Sequence, residues 1–145
     1  MITISMPLYV IHGFVCKKRK RVLDKHGKPK PRKYHFNLNN YRNWNPHLSN
    51  ELKKMYKDIT ERKLNDAKFL APLNPVELTF VMYRGDKRKV DRANVLSIHE
   101  KFFCDALVEL GYMGDDNDKF ITSSHYYSGG LDRENPRVDI IIKEC

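Results

Sequence analysis

From Val95 onward the apolar residues Val95, Ile98, Phe102, Phe103, Ala106, Leu107 and Leu110 recur at three- and four-residue steps. That spacing lines one face of an α-helix. Asp91 precedes them where an acid is favoured, beside the unpaired N–H groups and positive dipole end of a first turn. Gly111 follows them as a left-handed stop. A second helix is expected over residues 47–64, entered through Asn45-Pro46. It presents Leu48, Leu52, Met55, Tyr56, Ile59 and the stem of Lys63 to a core, with Lys53, Lys54, Lys57 and Arg62 outward. The period changes to two in VELTFVMY, residues 76–83, which alternates and then runs apolar as a strand does. Further strands are expected over residues 120–127 and 138–142. Another spans residues 2–14, at an edge or interrupted because of Pro7. Gly129-Gly130 and Asn135-Pro136 should bound a turn, while NLNNYRNW, residues 37–44, has no clear period. The break at residues 71–75 is too short to link domains. The fold class is therefore α+β, a small mixed β-sheet of about four strands with two main helices packed against it, in one domain over residues 1–145.

Charge changes the picture by giving this domain a partner. The net charge is +9 and the pI about 9.5, which points to a polyanion, most often nucleic acid. The excess is concentrated in a basic N-terminal hairpin or arm over residues 14–36, carrying Lys17, Lys18, Arg19, Lys20, Arg21, Lys28, Lys30, Arg32 and Lys33. His26-Gly27 marks its tip, and Pro29 and Pro31 keep the return extended. Long cations of this kind track phosphates without reading bases; a localisation signal or a solubilising loop is the plain alternative. A second cluster, Arg84, Lys87, Arg88, Lys89 and Arg92, surrounds Asp91, and Arg42 stands near Tyr41 and Trp44, aromatics suited to stacking on bases or to a core. No apolar run approaches a membrane span. The start, MITISMPLYV, lacks the features of a secretion signal. Three scattered cysteines, Cys16, Cys104 and Cys145, fit a reducing, cytoplasmic setting.

The remaining signal is acidic. On a helical wheel Asp91, Asn94, Ile98, Lys101 and Asp105 share one edge of the apolar stripe, with Glu100 on the opposite edge and His99 inside it. Beyond Gly111, Asp115, Asp116, Asn117 and Asp118 return to that edge if the next strand runs back beside the helix. Carboxylates gathered this way need a cation, and an oxygen-rich set suits Mg²⁺ or Mn²⁺. Such an ion polarises a phosphoryl oxygen and activates water, with Lys101 balancing developing charge. The plain reading is that Asp91 only caps, Lys101 and Asp105 pair at (i, i+4), and the acidic segment is a polar loop. Other motifs carry nothing: the histidines and cysteines lack zinc spacing, the acidic run lacks the glycine of an EF-hand, Gly129-Gly130 precedes no helix, and no nucleophile elbow frames Ser123, Ser124 and His125.

The order strand, Asp91-x-x-Asn94, helix with Lys101 and Asp105-Ala106-Leu107, glycine, Asp115-Asp116, strand, strand resembles the RusA family of Holliday junction resolvases, common in phages and prophages. The segment GGLDRENPRV, residues 129–138, also resembles the tail of phage-type members. The likeness covers the C-terminal half; the N-terminal half matches in plan only. Ala93 replaces the family's second Asp, and the spacing from Asp91 to Asp105 is about one helical turn longer. The resemblance implies a homodimer of α/β fold that nicks four-way junctions or other branched DNA with Mg²⁺, in the cytoplasm of a bacterial or phage-infected cell. It implies Asp91, Asp116 and Lys101 as catalytic residues and Asp91, Asp116, Asp115, Asn94 and Asp105 as the metal set. The alternative is a non-catalytic basic nucleic-acid-binding protein.

Overall fold

A computed structural model describes residues 1–13, 25–26 and 31–145. Within these, the long helices and the interior strands form where their periodicities require. Strands β1 (Ile2–Met6) and β2 (Tyr9–His12) are separated at Pro7-Leu8 and enter different sheets. Strand β3 (Arg32–His35) pairs antiparallel with β2, Tyr9 opposite His35, so the basic arm is the connection of a hairpin. Of residues 14–30 only Lys25 and His26, a turn, are described. Lys17, Lys18, Arg19, Lys20, Arg21, Lys28 and Lys30 lie outside the described residues.

Helix α1 (Leu38–Asn43) occupies the segment that shows no period; six residues are too few to display one, and its start is fixed by the Asn37 side chain accepting from the Asn40 N–H at 2.8 Å. Helix α2 (Pro46–Asp66) begins as Asn45-Pro46 requires, with Asn45 accepting from the Leu48 N–H at 2.9 Å. Strand β4 (Val76–Arg84) leads into α3 (Arg92–Glu109), followed by β5 (Ile121–Leu131) and β6 (Arg137–Glu144). Gly111 at φ +84° ends α3. The N–H groups of Gly111 and Tyr112 reach back to the carbonyls of Val108 and Leu107, the double bond of a Schellman stop. The turn before β6 lies later than the glycine pair suggests: Gly129 and Gly130 are inside β5, and the chain reverses over residues 132–136.

The main sheet has the order β1-β6-β4-β5, with β6 antiparallel to both neighbours and β5 parallel to β4. Parallel neighbours need a crossover, and α3 supplies it. One row crosses the sheet as Ile4, Ile140, Phe80 and Tyr126, and a second as Met6, Val138 and Met82. These side chains meet the apolar faces of α2 and α3, where Leu52, Tyr56, Leu64, Leu96, Phe103 and Leu107 are wholly buried. Phe36, just after the hairpin, enters this core edge-on to Trp44, Tyr56, His99 and Phe102. Trp44 and Tyr41 pack on each other, and Tyr41 on Phe102, so these aromatics serve the core. The Tyr56 hydroxyl and His99 Nδ1 meet at 2.9 Å inside it. Burial lowers the pKa of His99 to about 3 and raises that of Tyr56.

On the other face of the sheet Tyr83 is held between two neighbours. The Arg137 guanidinium lies 4.1 Å from its ring centre, anchored by Asp132 at 2.8 Å and Asp139 at 3.0 Å. Gly129 lies so close that a Cβ there would stand 2.6 Å from the ring.

Candidate metal centre and nucleic-acid surface

Asp91 is the N-cap of α3, its carboxylate accepting from the Ala93 N–H at 3.0 Å. It opens onto a hollow shared with Asn94, Ser97, Ala93, Arg42, Leu38 and Asn39. Farther along the helix, α3 and β5 enclose a second hollow of about 470 Å³. Glu100, Lys101, Asp105, Asp116 and Asp118 line it, with Ser123, Ser124 and Tyr126 from the strand. Ser97 lines both hollows, and its hydroxyl oxygen is buried with no hydrogen-bond partner.

The acids of the second hollow surround one thiol. Burial raises the pKa of Cys104 to about 12, and the charges of Glu100, Asp116 and Asp105 act in the same direction. Glu100 accepts from the Tyr126 hydroxyl at 2.8 Å. Burial, and then that hydrogen bond, raise the Tyr126 pKa. Asp105 is held from the far side by Lys53 at 2.8 Å. Burial works to lower the Lys53 pKa, but the bond and charge of Asp105, with Glu109, outweigh it and the net shift is upward.

The structure thus joins some of the expected residues and separates others. Lys101, Asp105 and Asp116 share one hollow, because β5 runs back beside α3. Asp91 and Asn94 lie in the neighbouring one. Fourteen residues of straight helix put Asp105 about 21 Å along the axis from Asp91, and the acidic segment returns only to the C-terminal half. Asp115 faces a local turn, accepting from the Asp116 N–H at 2.8 Å and the Asn117 amide at 3.2 Å. The (i, i+4) pairing of Lys101 with Asp105 gives way to Lys53, expected to point outward but turned toward α3. Glu100, placed on the opposite edge from the wheel alone, joins Lys101 and Asp116. That flank faces β5, which becomes apparent only once the strand order puts β5 beside β4. Among the described residues no group of three or more His, Cys, Asp and Glu side chains stands where it could hold a metal ion.

A group of cations stands at the other end of α3. Arg84 closes β4, its Nη1 donating to the Arg88 carbonyl at 3.0 Å. Lys87, Arg88, Lys89 and Arg92 are exposed around the Asp91 cap, and Arg42 lines the same hollow. Arg88 makes a long contact with Asp86 at 3.8 Å. Arg32 and Lys33 stand on β3, Lys33 over the Tyr9 ring at 4.9 Å. No helix among the described residues is long and apolar enough to cross a membrane. The chain matches no protein-family model and no curated protein in sequence comparison.

Proposed function

We propose that this protein is a Mg²⁺-dependent, structure-selective endodeoxyribonuclease that nicks four-way junctions or other branched DNA as a homodimer in the cytoplasm. The observation that carries the reading is the hollow between α3 and β5. Four carboxylates, Glu100, Asp105, Asp116 and Asp118, line it together with Lys101, in a chain whose net charge is +9. The donors are all oxygen, as Mg²⁺ and Mn²⁺ prefer, and Mg²⁺ is commonly bound by one or two carboxylates plus water and substrate phosphate. A three-residue cage is therefore not required. Asp116 and Glu100 are the first candidates to hold the ion, because Lys53 already engages Asp105. A bound divalent ion supplies a Lewis acid and an activated water. Lys101 counters negative charge on the phosphodiester. Asp91 and Asn94 border the strand one hollow away, among Arg42, Lys87, Arg88, Lys89 and Arg92, which hold phosphates without reading sequence. Two symmetric sites in a dimer would face opposed strands.

The test compares junction, flap, duplex and RNA substrates with Mg²⁺, Mn²⁺ and EDTA. Metal-dependent nicking of branched DNA, lost in Asp116→Asn without loss of binding, is the expected result. The second reading, a non-catalytic nucleic-acid-binding protein, draws on the cap made by Asp91 and the ion pair made by Asp105. It requires salt-dependent binding with no cleavage in any metal.

A further inference from the structure

A third hollow lies between the β2–β3 hairpin, the end of β4 and the first turn of α3, with a volume of about 390 Å³. Its size falls in the usual range of roughly 300–1,000 Å³ for small-ligand sites. Leu8, Phe36, Met82 and Val95 form apolar walls, and Tyr9 and His35 stand at the hairpin side with ring centres 5.2 Å apart. Arg84 also lines the hollow. Its Nε is buried without a hydrogen-bond partner, although its Nη1 is committed to the Arg88 carbonyl. The walls are therefore largely apolar, with Arg84, Asp86 and Arg88 as the charged residues among them.

We propose that this hollow receives a single unstacked nucleobase of the bound nucleic acid, held between its apolar walls and the Tyr9 and His35 rings. The proposal rests on the nucleic-acid reading above and adds a sequence-selecting position to it. Charge decides for a nucleotide over a neutral apolar ligand: Arg84 and Arg88 line the hollow against one carboxylate, Asp86, which accepts from the Arg88 N–H at 2.9 Å, and the exposed Lys87, Lys89 and Arg92 in the same stretch of chain leave the rim net cationic, as a base attached to a phosphate backbone requires. Unstacked bases are held in this way, between aromatic or apolar faces and a few edge hydrogen bonds. Burial, and then the Lys33 ammonium, lower the His35 pKa, leaving a neutral ring with one donor and one acceptor at the mouth. The location fits as well. Asn37 and Val95 line this hollow, and their chain neighbours Leu38 and Asn94 line the one that holds Asp91.

The experiment is done in EDTA, so that it is independent of cleavage. Single-stranded and junction oligonucleotides carry 2-aminopurine, or an abasic site, at successive positions. In wild type, one position should change fluorescence on binding, and an abasic site there should weaken binding about tenfold. Val90→Trp, at a 41% exposed position on the rim, should abolish both effects while circular dichroism and melting stay native. DNA binding with no position responding, or with the abasic penalty undiminished in Val90→Trp, overturns the pocket and leaves the nuclease reading standing. Displacement of a fluorescent fatty acid from wild type, with no base response, overturns it in favour of an anionic amphiphile. A base response without metal-dependent nicking removes the nuclease reading alone.

Discussion

The two ends of α3 share one helix and differ in almost everything else. At the N-terminal end cationic and amide side chains predominate, Asp91 is engaged in capping and Asp86 with Arg88, and a largely apolar hollow adjoins. At the C-terminal end carboxylates crowd around a buried thiol, with Lys101 among them. In the proposed function the difference would separate two tasks that repel one another electrostatically: phosphate attracted at one end, and a cation needed at the other before phosphate can approach. A helix of 18 residues keeps the two regions apart, in neighbouring hollows that share Ser97.

The sharpest way to break this comparison is to remove charge from each end in turn. Asp116→Asn or Glu100→Gln should lower Mg²⁺-dependent nicking by at least about a hundredfold, with junction binding in a gel-shift titration unchanged or tighter. Asp91→Asn should lower it less than about tenfold at unchanged melting temperature, since Asn caps as well as Asp, whereas Asp91→Ala should lose about 1 kcal/mol of stability. Equal loss in Asp91→Asn and Asp116→Asn would mean that the two hollows act as one centre.

Beneath both ends, the His99 pair sets an acid limit. Its folded-state pKa of about 3 lies below the ordinary 6.5. The unfolded chain therefore takes up the proton first, and stability falls as pH drops from 6.5 toward 3, by an amount on the order of 4 kcal/mol. Urea titrations across that window should flatten in His99→Leu. Tyr56→Phe, which leaves Nδ1 unpaired, should cost about 1–3 kcal/mol at neutral pH. The smallest effect is expected from Lys53→Met. A half-exposed pair contributes under about 1 kcal/mol, yet removing the ammonium frees Asp105, and calorimetric Mg²⁺ affinity should rise severalfold.

Much of the fold could be read from local signals. The stripe from Val95 to Leu110, the Asn45-Pro46 entry and the Gly111 stop each act within a few residues of chain. Gly129-Gly130 misled because glycine suits a turn and also a strand pressed against a ring; only Tyr83, 46 positions earlier, distinguishes them. The site was legible in part for a similar reason. Helical angle gives which residues share a face, so Lys101 and Asp105 emerged together. It says nothing about which face β5 covers, which decides the position of Glu100, or about Lys53 reaching across from α2. The apolar hollow was invisible because its walls come from five separate segments.

Because Gly129 leaves no room beside Tyr83, the ring works as a wedge fixed between the outer strand and Arg137. The next residue along the chain is Arg84, whose guanidinium holds the turn to Arg88 that lines the hollow beside the hairpin. A single methyl added at position 129 would lift that wedge, and the disturbance would travel one peptide to the opposite side of the sheet. In the proposed complex, the grip on nucleic acid would thereby be tuned from a surface that need never touch it.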